Sequence, residues 1–261
     1  MTNCAPVDDV GAPEPFLGGR LRLFQRRGGH RAGTDAVLLA AAASADPGRL
    51  VADLGAGSGA VGLAVAARAP DARVVLAELD EDAASLAERN AALNGMQVRV
   101  QVVRVDLLAG TRTREEAGLP RQTADLVLTN PPYLVAGGGR SSPDEARRRA
   151  HEMGAGGLDA WIKACAGTLR RDGVLALIHR ADALGVILAA LEGRFGAIRL
   201  LPVLPRTDAS AHRLLVQAVK GSRSPLQIRP ALVLHEANGA FTPRAIELHH
   251  GEQLIDWDRY P

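Results

Sequence analysis

The feature that most constrains the fold is a regular alternation of short apolar segments with amphipathic ones, which begins near residue 50. "RLVADLG" and "ARVVLAELD" are predicted strands, and each precedes a predicted helix, "SGAVGLAVAARA" and "EDAASLAERNAALNG". Further strands are predicted at "VRVQVVRVD", "ADLVLTN" and "VLALIH". Strands that alternate with helices form a parallel sheet covered on both faces. "AIRLLPVL" and "HRLLVQAVK" follow with no helix between them. The pattern therefore predicts an α/β fold, a seven-stranded, mostly parallel, doubly wound sheet with an antiparallel edge strand.

The same pattern divides the 261 residues into four predicted parts. Residues 1–15 are predicted to be a mobile arm, 16–48 a strand–helix cap, 49–220 the domain built on the sheet, and 221–261 an extension packed on it. Cysteine occurs only at Cys4 and Cys165, which favours a reducing cytoplasm. The sequence has no apolar run long enough to span a bilayer and no signal pattern, so we expect a cytoplasmic protein with no membrane partner.

Glycines are concentrated at the turn after the first strand of this domain, in "DLGAGSGAVG". Gly55, Gly57 and Gly59 allow backbone N–H groups and a ligand to approach each other closely. Residues 57–62 also satisfy the G-x-G-x-x-G pattern of dinucleotide-binding turns. Glu78 follows about 20 residues later, at a predicted strand end where it would bind ribose hydroxyls. The turn and the acid together predict a nucleoside site.

Two aspartates indicate which nucleoside binds there. Asp53 stands at the head of the glycine turn, where a carboxylate repels phosphate but can receive an ammonium group. Asp106 ends the third strand of the domain, where it can accept a hydrogen bond from an adenine amino group. A ligand with a cationic amino-acid end and an adenosine end fits both acids. S-adenosylmethionine is such a ligand, and we predict it as the cofactor.

The fourth strand of the domain ends in "LVLTNPPYL", an unusual turn with two consecutive prolines. A planar NH2 group is a poor nucleophile because its lone pair is delocalised. The side-chain oxygen of Asn130 and the carbonyl of Pro131 can accept its two hydrogens and draw it toward tetrahedral geometry, while the prolines keep these acceptors fixed. Tyr133 offers a face on which a planar substrate can stack. We predict that this turn is catalytic.

The charge distribution bears on the partner, since the net charge is only +2. Segregated basic charge favours a polyanion, although the general use of arginine in place of lysine is an alternative explanation. One basic group comprises Arg20, Arg22, Arg26, Arg27 and Arg31. A second comprises Arg194, Arg199, Arg206, Arg213, Lys220, Arg223 and Arg229. The segment 137–153 is a further hypothesis, a mobile loop whose arginines hold RNA.

The motifs "DLGAGSG" and "NPPY", with Glu78 and Asp106, resemble those of class I S-adenosylmethionine-dependent methyltransferases that act on planar nitrogen. "GGHRAGTDAVLLAAAA" and "GAIRLLPVLPRTDASAHRLLVQAVKGSRSPLQI" are similar to the family of tRNA adenine-N6 methyltransferases that modify the adenine beside the anticodon of a valine tRNA. The resemblance covers residues 16–250 and implies tRNA as partner.

The resemblance also implies roles for individual residues. Asn130 and Pro131 would grip the amine, with Asn130 near the cofactor as well, and Tyr133 would stack. The cofactor would be held by Gly55, Gly57, Gly59, Glu78 and Asp106. Thr34 and Asp35 would lie near its methionine end.

Several alternatives stay open. A protein glutamine-N5 methyltransferase shares the "NPPY" chemistry but carries a helical substrate domain before the glycine turn, and only about 50 residues precede Asp53 here. A small-molecule methyltransferase, a DNA adenine methyltransferase, a dehydrogenase and an RNA-binding module that retains a cofactor pocket are further candidates. The seven histidines show no metal-site spacing, so no metal is expected. The sequence leaves the oligomeric state undetermined.

Overall fold

The computed structural model describes residues 10–26, 32–43, 48–119, 121–132 and 157–258. A small antiparallel hairpin comes first, formed by β1 (Glu14–Phe16) and β2 (Leu21–Leu23). Helix α1 (Thr34–Ala42) follows it. Strand β1 begins inside the segment that we predicted to be an arm, and Val10 forms an isolated bridge with Arg26. The part of that segment from residue 10 onward is therefore attached to the hairpin.

A single mixed sheet of nine strands is the centre of the described structure. In chain order the strands are β3 (Leu50–Leu54), β4 (Arg73–Glu78), β5 (Val100–Arg104), β6 (Ala124–Thr129), β7 (Leu169–Arg180), β8 (Phe195–Leu204), β9 (Arg213–Lys220), β10 (Gln227–Ile228) and β11 (Leu232–Val233). Their order across the sheet is β10-β8-β9-β7-β6-β3-β4-β5, and β11 also pairs with β8. The predicted doubly wound α/β sheet is confirmed. The two strands beyond the predicted seven have two residues each, too few to give a periodic signal.

The antiparallel strand is β9, and it lies inside the sheet, between β7 and β8. It pairs antiparallel with both β7 and β8. The connection at residues 205–212 is too short for a crossover, so β9 has to run antiparallel to β8. β8 lies further out than β9, with only the two-residue strands β10 and β11 beyond it, so β9 turns back into the space between β8 and β7. The sequence determines the direction of this strand, whereas its position depends on where β8 docks.

Helices cover both faces of the sheet. The remaining ones are α2 (Ala60–Arg68), α3 (Glu81–Leu93), α4 (Thr111–Glu116), α5 (Gly157–Thr168), α6 (Leu184–Leu191) and α7 (Pro243–His249). Buried residues of α1, α2, α3 and α7 form one core with side chains from one face of the sheet. Buried residues of α5 and α6 form a second core with side chains from the opposite face. Helix α5, the first described helix after the predicted catalytic turn, is therefore on the opposite face from α1.

Helix α1 is almost completely enclosed, since every residue from Ala36 to Ala42 is buried. Its last carbonyl groups bind partners that are distant in sequence. The carbonyl of Ala41 accepts from the backbone N–H of Ile255 at 2.9 Å, and that of Ala42 accepts from Nε1 of Trp257 at 2.9 Å. These bonds satisfy acceptors that a helix end leaves unpaired. They fasten the segment around residue 255 to the predicted cap.

The hairpin is attached to α3 by two asparagine side chains one helical turn apart. Asn90 accepts from the N–H of Phe24 at 2.7 Å and donates to its carbonyl at 3.1 Å. Asn94 does the same with Arg22, at 3.1 and 2.8 Å. The two amides thus pair with alternate residues of an extended chain, as a neighbouring strand would. Asn90 also donates to the carbonyl of Ser58 at 2.9 Å, so it joins the hairpin to the glycine turn.

Candidate active site

The register of three strands brings the predicted site residues to one edge of the sheet. Leu54, the last residue of β3, is paired with Ala77 of β4 and with Thr129 of β6. The residues that follow these three are Gly55, Glu78 and Asn130, so they begin at the same level. On one side of β3 the sheet continues with β4 and then β5. On the other side of β3 it continues with β6 and then β7. This reversal at the carboxyl edge is where doubly wound sheets bind ligands.

The glycine turn has a backbone that other residues would adopt only with strain. Gly55, Gly57 and Gly59 have φ values of +76°, +55° and +83°, in the left-handed region that glycine tolerates. Gly57 donates its N–H to Oε2 of Glu78 at 2.7 Å. A Cβ atom at Gly57 would meet no atom within 4 Å. The turn is thus held by β4 and leaves open space beside Gly57 that a ligand can occupy.

The last glycine of the pattern, Gly62, serves packing in this structure. A Cβ atom there would lie 2.3 Å from Cδ2 of Leu76 and 3.3 Å from Cβ of Asp53. Helix α2 therefore approaches the sheet more closely than any side chain at this position would permit. The G-x-G-x-x-G match at residues 57–62 reflects this close approach of helix and sheet.

Asp53 is buried under the first turn of α2, with 2% of its surface exposed. Its Oδ2 accepts from the N–H of Gly62 at 2.9 Å. Burial raises the pKa of this carboxyl to about 7, against the lowering effect of the Gly62 hydrogen bond and with a further increase from the nearby charge of Glu78. The structure thus shows Asp53 as a partner of α2. Its predicted contact with an ammonium group stays a prediction, and a cation placed beside it would favour the ionised form.

The raised pKa of Asp53 predicts a link between pH and stability. The pKa of about 7 in the folded protein lies above the ordinary value of 3.8, so between these values the folded protein holds a proton that the unfolded chain releases. The free energy of unfolding is therefore expected to fall as pH rises from about 4 to about 7, by roughly 4 kcal/mol for this group. Asp53→Asn keeps an acceptor for Gly62 and removes the charge. Urea unfolding measures the free energy of unfolding of both proteins. The value for the variant minus that for the native protein should increase as pH rises from about 4 to about 7. A difference that does not change with pH would contradict the prediction.

The two remaining acids of the nucleoside site are both tied to the backbone. Oε1 of Glu78 accepts from the N–H groups of Leu79 and Asp80 at 2.8 and 2.9 Å. Asp106 accepts from the N–H of Leu108 at 2.8 Å. These bonds hold the carboxylates in fixed orientations at the ends of neighbouring strands. The assignment of ribose to Glu78 and of adenine to Asp106 stays a prediction that this placement permits.

Thr34 and Asp35 open helix α1 and contact other elements of the protein. Oγ1 of Thr34 lies 3.3 Å from Nε2 of His249. Both carboxylate oxygens of Asp35 accept from Nε of Arg213, at 3.2 and 2.9 Å. Arg213 begins β9, so Asp35 is held at the edge of the sheet that carries the other site residues. Their assignment to the methionine end of the cofactor stays a prediction.

The predicted catalytic turn is described as far as residue 132. Asn130 follows β6 directly and is half-buried, and Pro131 is buried. Tyr133 and the segment 137–153 lie outside the described residues, so the stacking role and the RNA-holding loop stay predictions.

The sequence did not predict the hydrogen bond between the side chains of Trp161 and Thr129, which lies next to this turn. Nε1 of Trp161 donates to Oγ1 of Thr129 at 2.8 Å, and that hydroxyl donates to the carbonyl of Leu54 at 2.8 Å. The only available signal was the presence of a tryptophan in the first described helix after the catalytic turn.

Comparison with known proteins decides the family. Residues 32–201 match the model of the methyltransferase small domain. The tRNA1(Val) (adenine(37)-N6)-methyltransferase of Aeromonas hydrophila is 33% identical over 222 residues, which cover 84% of this chain and 88% of that protein. The chain belongs to this methyltransferase family. It is an S-adenosylmethionine-dependent enzyme, and the predicted resemblance is confirmed.

Two further proteins, one of them a solved structure, are similar to this methyltransferase. The crystal structure of a predicted O-methyltransferase from Agrobacterium tumefaciens superimposes with a TM-score of 0.72 and 35% identity, covering 85% of this chain and 98% of that one. A release factor glutamine methyltransferase of Moorella thermoacetica is 35% identical over 161 residues, which cover 59% of this chain and 54% of that protein. The similarity to the glutamine methyltransferase thus covers about half of that enzyme.

The S-adenosylmethionine assignment is consistent with three features of this structure. Gly57 borders open space, Glu78 holds a fixed carboxylate beside it, and Asp53 is a buried acid that a cation would stabilise in its ionised form. Among the described residues, no group of three His, Cys, Asp or Glu side chains is arranged to hold a metal ion. In the same part of the chain, no helix combines the length and the apolar character required to cross a membrane.

The second basic group of the methyltransferase is partly neutralised by acids from other parts of the chain. Arg194 pairs with Asp159 at 2.8 Å, and Arg199 with Asp258 at 2.7 Å. Arg213 is bound to Asp35, as described above. The basic residues are clustered in the sequence, but these three charges are compensated in three dimensions. This group therefore presents less free positive charge than its sequence indicates.

Proposed function

We propose that this methyltransferase transfers a methyl group from S-adenosylmethionine to N6 of an adenine in tRNA, beside the anticodon. The observation that carries the proposal is the register of β3 and β6. It places Asn130 of the Asn-Pro-Pro turn level with Gly55 of the glycine turn. An amine gripped by the first turn is then adjacent to a cofactor held by the second. The acceptor is supported by the A. hydrophila relative, which matches along nearly its whole length.

The chemistry of the acceptor explains why this turn is needed. S-adenosylmethionine supplies an electrophilic methyl group on a positively charged sulfur. The Asn130 side-chain oxygen and the Pro131 carbonyl accept the two hydrogens of the adenine amine, which turns its lone pair out of the ring plane and toward the methyl carbon. With S-adenosylmethionine bound, attack by this lone pair would form the new N–C bond as the C–S bond breaks, with S-adenosylhomocysteine as the leaving group, and one amine proton would leave to water. Fixed acceptors stabilise the developing positive charge on nitrogen without reorganisation.

The remaining site residues hold the cofactor in this proposal. Glu78 binds the ribose hydroxyls, Asp106 accepts from the adenine amino group and Asp53 faces the ammonium group. The open side of Gly57 gives the ligand access to the turn. Thr34 and Asp35 lie toward the methionine end. We expect the enzyme to act in the cytoplasm, where it would meet its tRNA.

The experiment that tests the proposal supplies S-adenosylmethionine with a labelled methyl group and three acceptors. These are an unmodified valine tRNA transcript, the same transcript with guanine in place of the target adenine, and a release factor. We expect label in the first alone, recovered as N6-methyladenosine. S-adenosylhomocysteine at about 100 times its Kd should add about 2.7 kcal/mol to the free energy of unfolding, and NAD should add nothing. Label in a release factor glutamine would overturn the tRNA assignment.

Asp53 provides a test of how the cofactor is oriented in the site. If the ammonium group faces Asp53, binding of S-adenosylhomocysteine should ionise the carboxyl and release a proton. Binding should then tighten as pH rises from about 6 to about 8. Calorimetry in buffers of different ionisation enthalpy measures this proton, and Asp53→Asn should abolish its release. Equal proton release by the two proteins would place the ammonium group elsewhere.

A further inference from the structure

The side chain of Trp161 lies next to both turns of the site, the one that begins at Gly55 and the one that begins at Asn130. It lies on α5, with 6% of its surface exposed. Its indole N–H binds the hydroxyl of Thr129, which in turn binds the carbonyl of Leu54. Thr129 and Leu54 are paired in the sheet, at the last ladder position before β6 and β3 diverge into the Asn130 and Gly55 turns. The hydroxyl therefore joins the two strands at the point where their paths separate.

The ring of Trp161 also contacts the glycine turn itself. A Cβ atom at Gly55 would lie 2.9 Å from Cζ2 and 3.1 Å from Cη2 of the indole. The ring occupies the space that a side chain at Gly55 would need. One rigid, planar group thus meets the residue before Asn130 through its N–H and the first glycine of the cofactor turn through its edge.

We propose that Trp161 is a positioning residue, which sets the separation between the Asn130 turn and the Gly55 turn. The inference rests on the proposed function, in which the acceptor nitrogen is held by one turn and the methyl donor by the other. Reacting atoms must approach to about 3–3.5 Å, and a misplacement of about 1 Å can lower the rate on the order of 100-fold. A rigid group that contacts both turns is suited to fixing this distance. Trp161 touches no reacting atom, and it acts through Asn130 and Gly55.

The chain offers a matched control, since it contains only two tryptophans. Trp257 is 5% exposed and donates its indole N–H to the carbonyl of Ala42 at 2.9 Å. Trp161→Phe and Trp257→Phe each remove one buried indole hydrogen bond and keep an aromatic ring. They should lower the urea midpoint of unfolding by similar amounts. Only Trp161→Phe should lower the single-turnover rate of methyl transfer, on the order of 10- to 100-fold, with the Kd of S-adenosylhomocysteine changed less than about 3-fold.

A double-mutant cycle separates positioning from a general structural effect. If Trp161 acts through the Asn130 turn, Trp161→Phe should lose most of its effect on the rate in an Asn130→Ala background. Thr129→Val, which keeps the shape and removes the hydroxyl, should imitate Trp161→Phe, while Thr129→Ser should retain the native rate. Equal rates for the two tryptophan variants, or additive effects in the cycle, would overturn the proposal. Thr129→Val keeps the test informative if Trp161→Phe folds poorly.

A fluorescence measurement distinguishes failure of this inference from failure of the proposed function. In Trp257→Phe, all tryptophan emission comes from Trp161. Because its ring touches Gly55, that emission should change when S-adenosylhomocysteine binds, whatever the methyl acceptor is. An unchanged emission with saturating ligand would contradict the contact between Trp161 and the cofactor turn. A changed emission without methylation of any tRNA would leave the contact intact and contradict the acceptor.

Discussion

Replacing Asn130 with alanine is expected to lower the single-turnover rate of methyl transfer by about 100- to 1000-fold. The amide oxygen accepts a hydrogen of the amine most strongly as the nitrogen becomes tetrahedral, so its loss affects the transition state more than the bound substrates. Cofactor affinity should change much less. The measurement is single-turnover methylation of the tRNA, with the Kd of S-adenosylhomocysteine determined on the same protein.

Two changes at Tyr133 test whether this residue acts through its ring or through its hydroxyl. Tyr133→Ala should weaken RNA use by about 1–3 kcal/mol, because the target base loses the face on which it stacks once it has left its neighbours. Tyr133→Phe keeps the ring and should be nearly harmless. If Tyr133→Phe lowers the rate as much as Asn130→Ala does, the hydroxyl has a chemical role and the stacking explanation is wrong.

Replacing Glu78 with alanine is expected to weaken cofactor binding by about 1.5–3 kcal/mol, or roughly 10- to 150-fold in Kd. The variant removes the proposed acceptor for the ribose hydroxyls. It also removes the carboxylate that binds the N–H of Gly57, so the glycine turn keeps only its backbone hydrogen bonds to Ala77 of β4. Isothermal calorimetry with S-adenosylhomocysteine gives the Kd of each protein.

Glu81 provides a control for the loss of charge at this edge. It lies three residues further along, is exposed and pairs with Arg104 at 2.7 Å. Exposed ion pairs contribute little, so Glu81→Ala should leave the Kd within about 2-fold, a change of under half a kcal/mol. Glu78→Gln keeps an acceptor for Gly57 without the charge and should fall between the other two. A Kd for Glu78→Ala equal to that of Glu81→Ala would exclude Glu78 from the cofactor site.

The parts of the fold that were predicted correctly, and the placement of the candidate site at one edge of the sheet, are those with a local signal. The alternation of strands and helices between residues 50 and 220 determined the sheet. The glycines and the Asn-Pro-Pro turn identified the edge because each follows a strand directly. β3, β4 and β6 then placed these turns side by side through their parallel register.

The parts that were missed depend on contacts between residues far apart in sequence. Asn90 and Asn94 pair with the backbone of the hairpin, and nothing near them in "ERNAALNG" distinguishes that role from a solvated helix face. Trp161 binds a hydroxyl on another strand. The pairing of Arg199 with Asp258 joins residues 59 positions apart. Side-chain partners of this kind are set by the way the layers pack, which local periodicity does not encode.

The closing of helix α1 by Ile255 and Trp257 has a consequence for the order in which the chain folds during synthesis. Trp257 lies 215 positions after Ala42, and at the usual speed of a ribosome that distance takes roughly 10–40 s to translate. Throughout this interval an apolar helix, whose residues 36–42 are all buried in the finished protein, has neither its last hydrogen-bond partners nor its full cover. We therefore expect this apolar helix of the nascent chain to be open to chaperone binding until residues 255 and 257 have been synthesised.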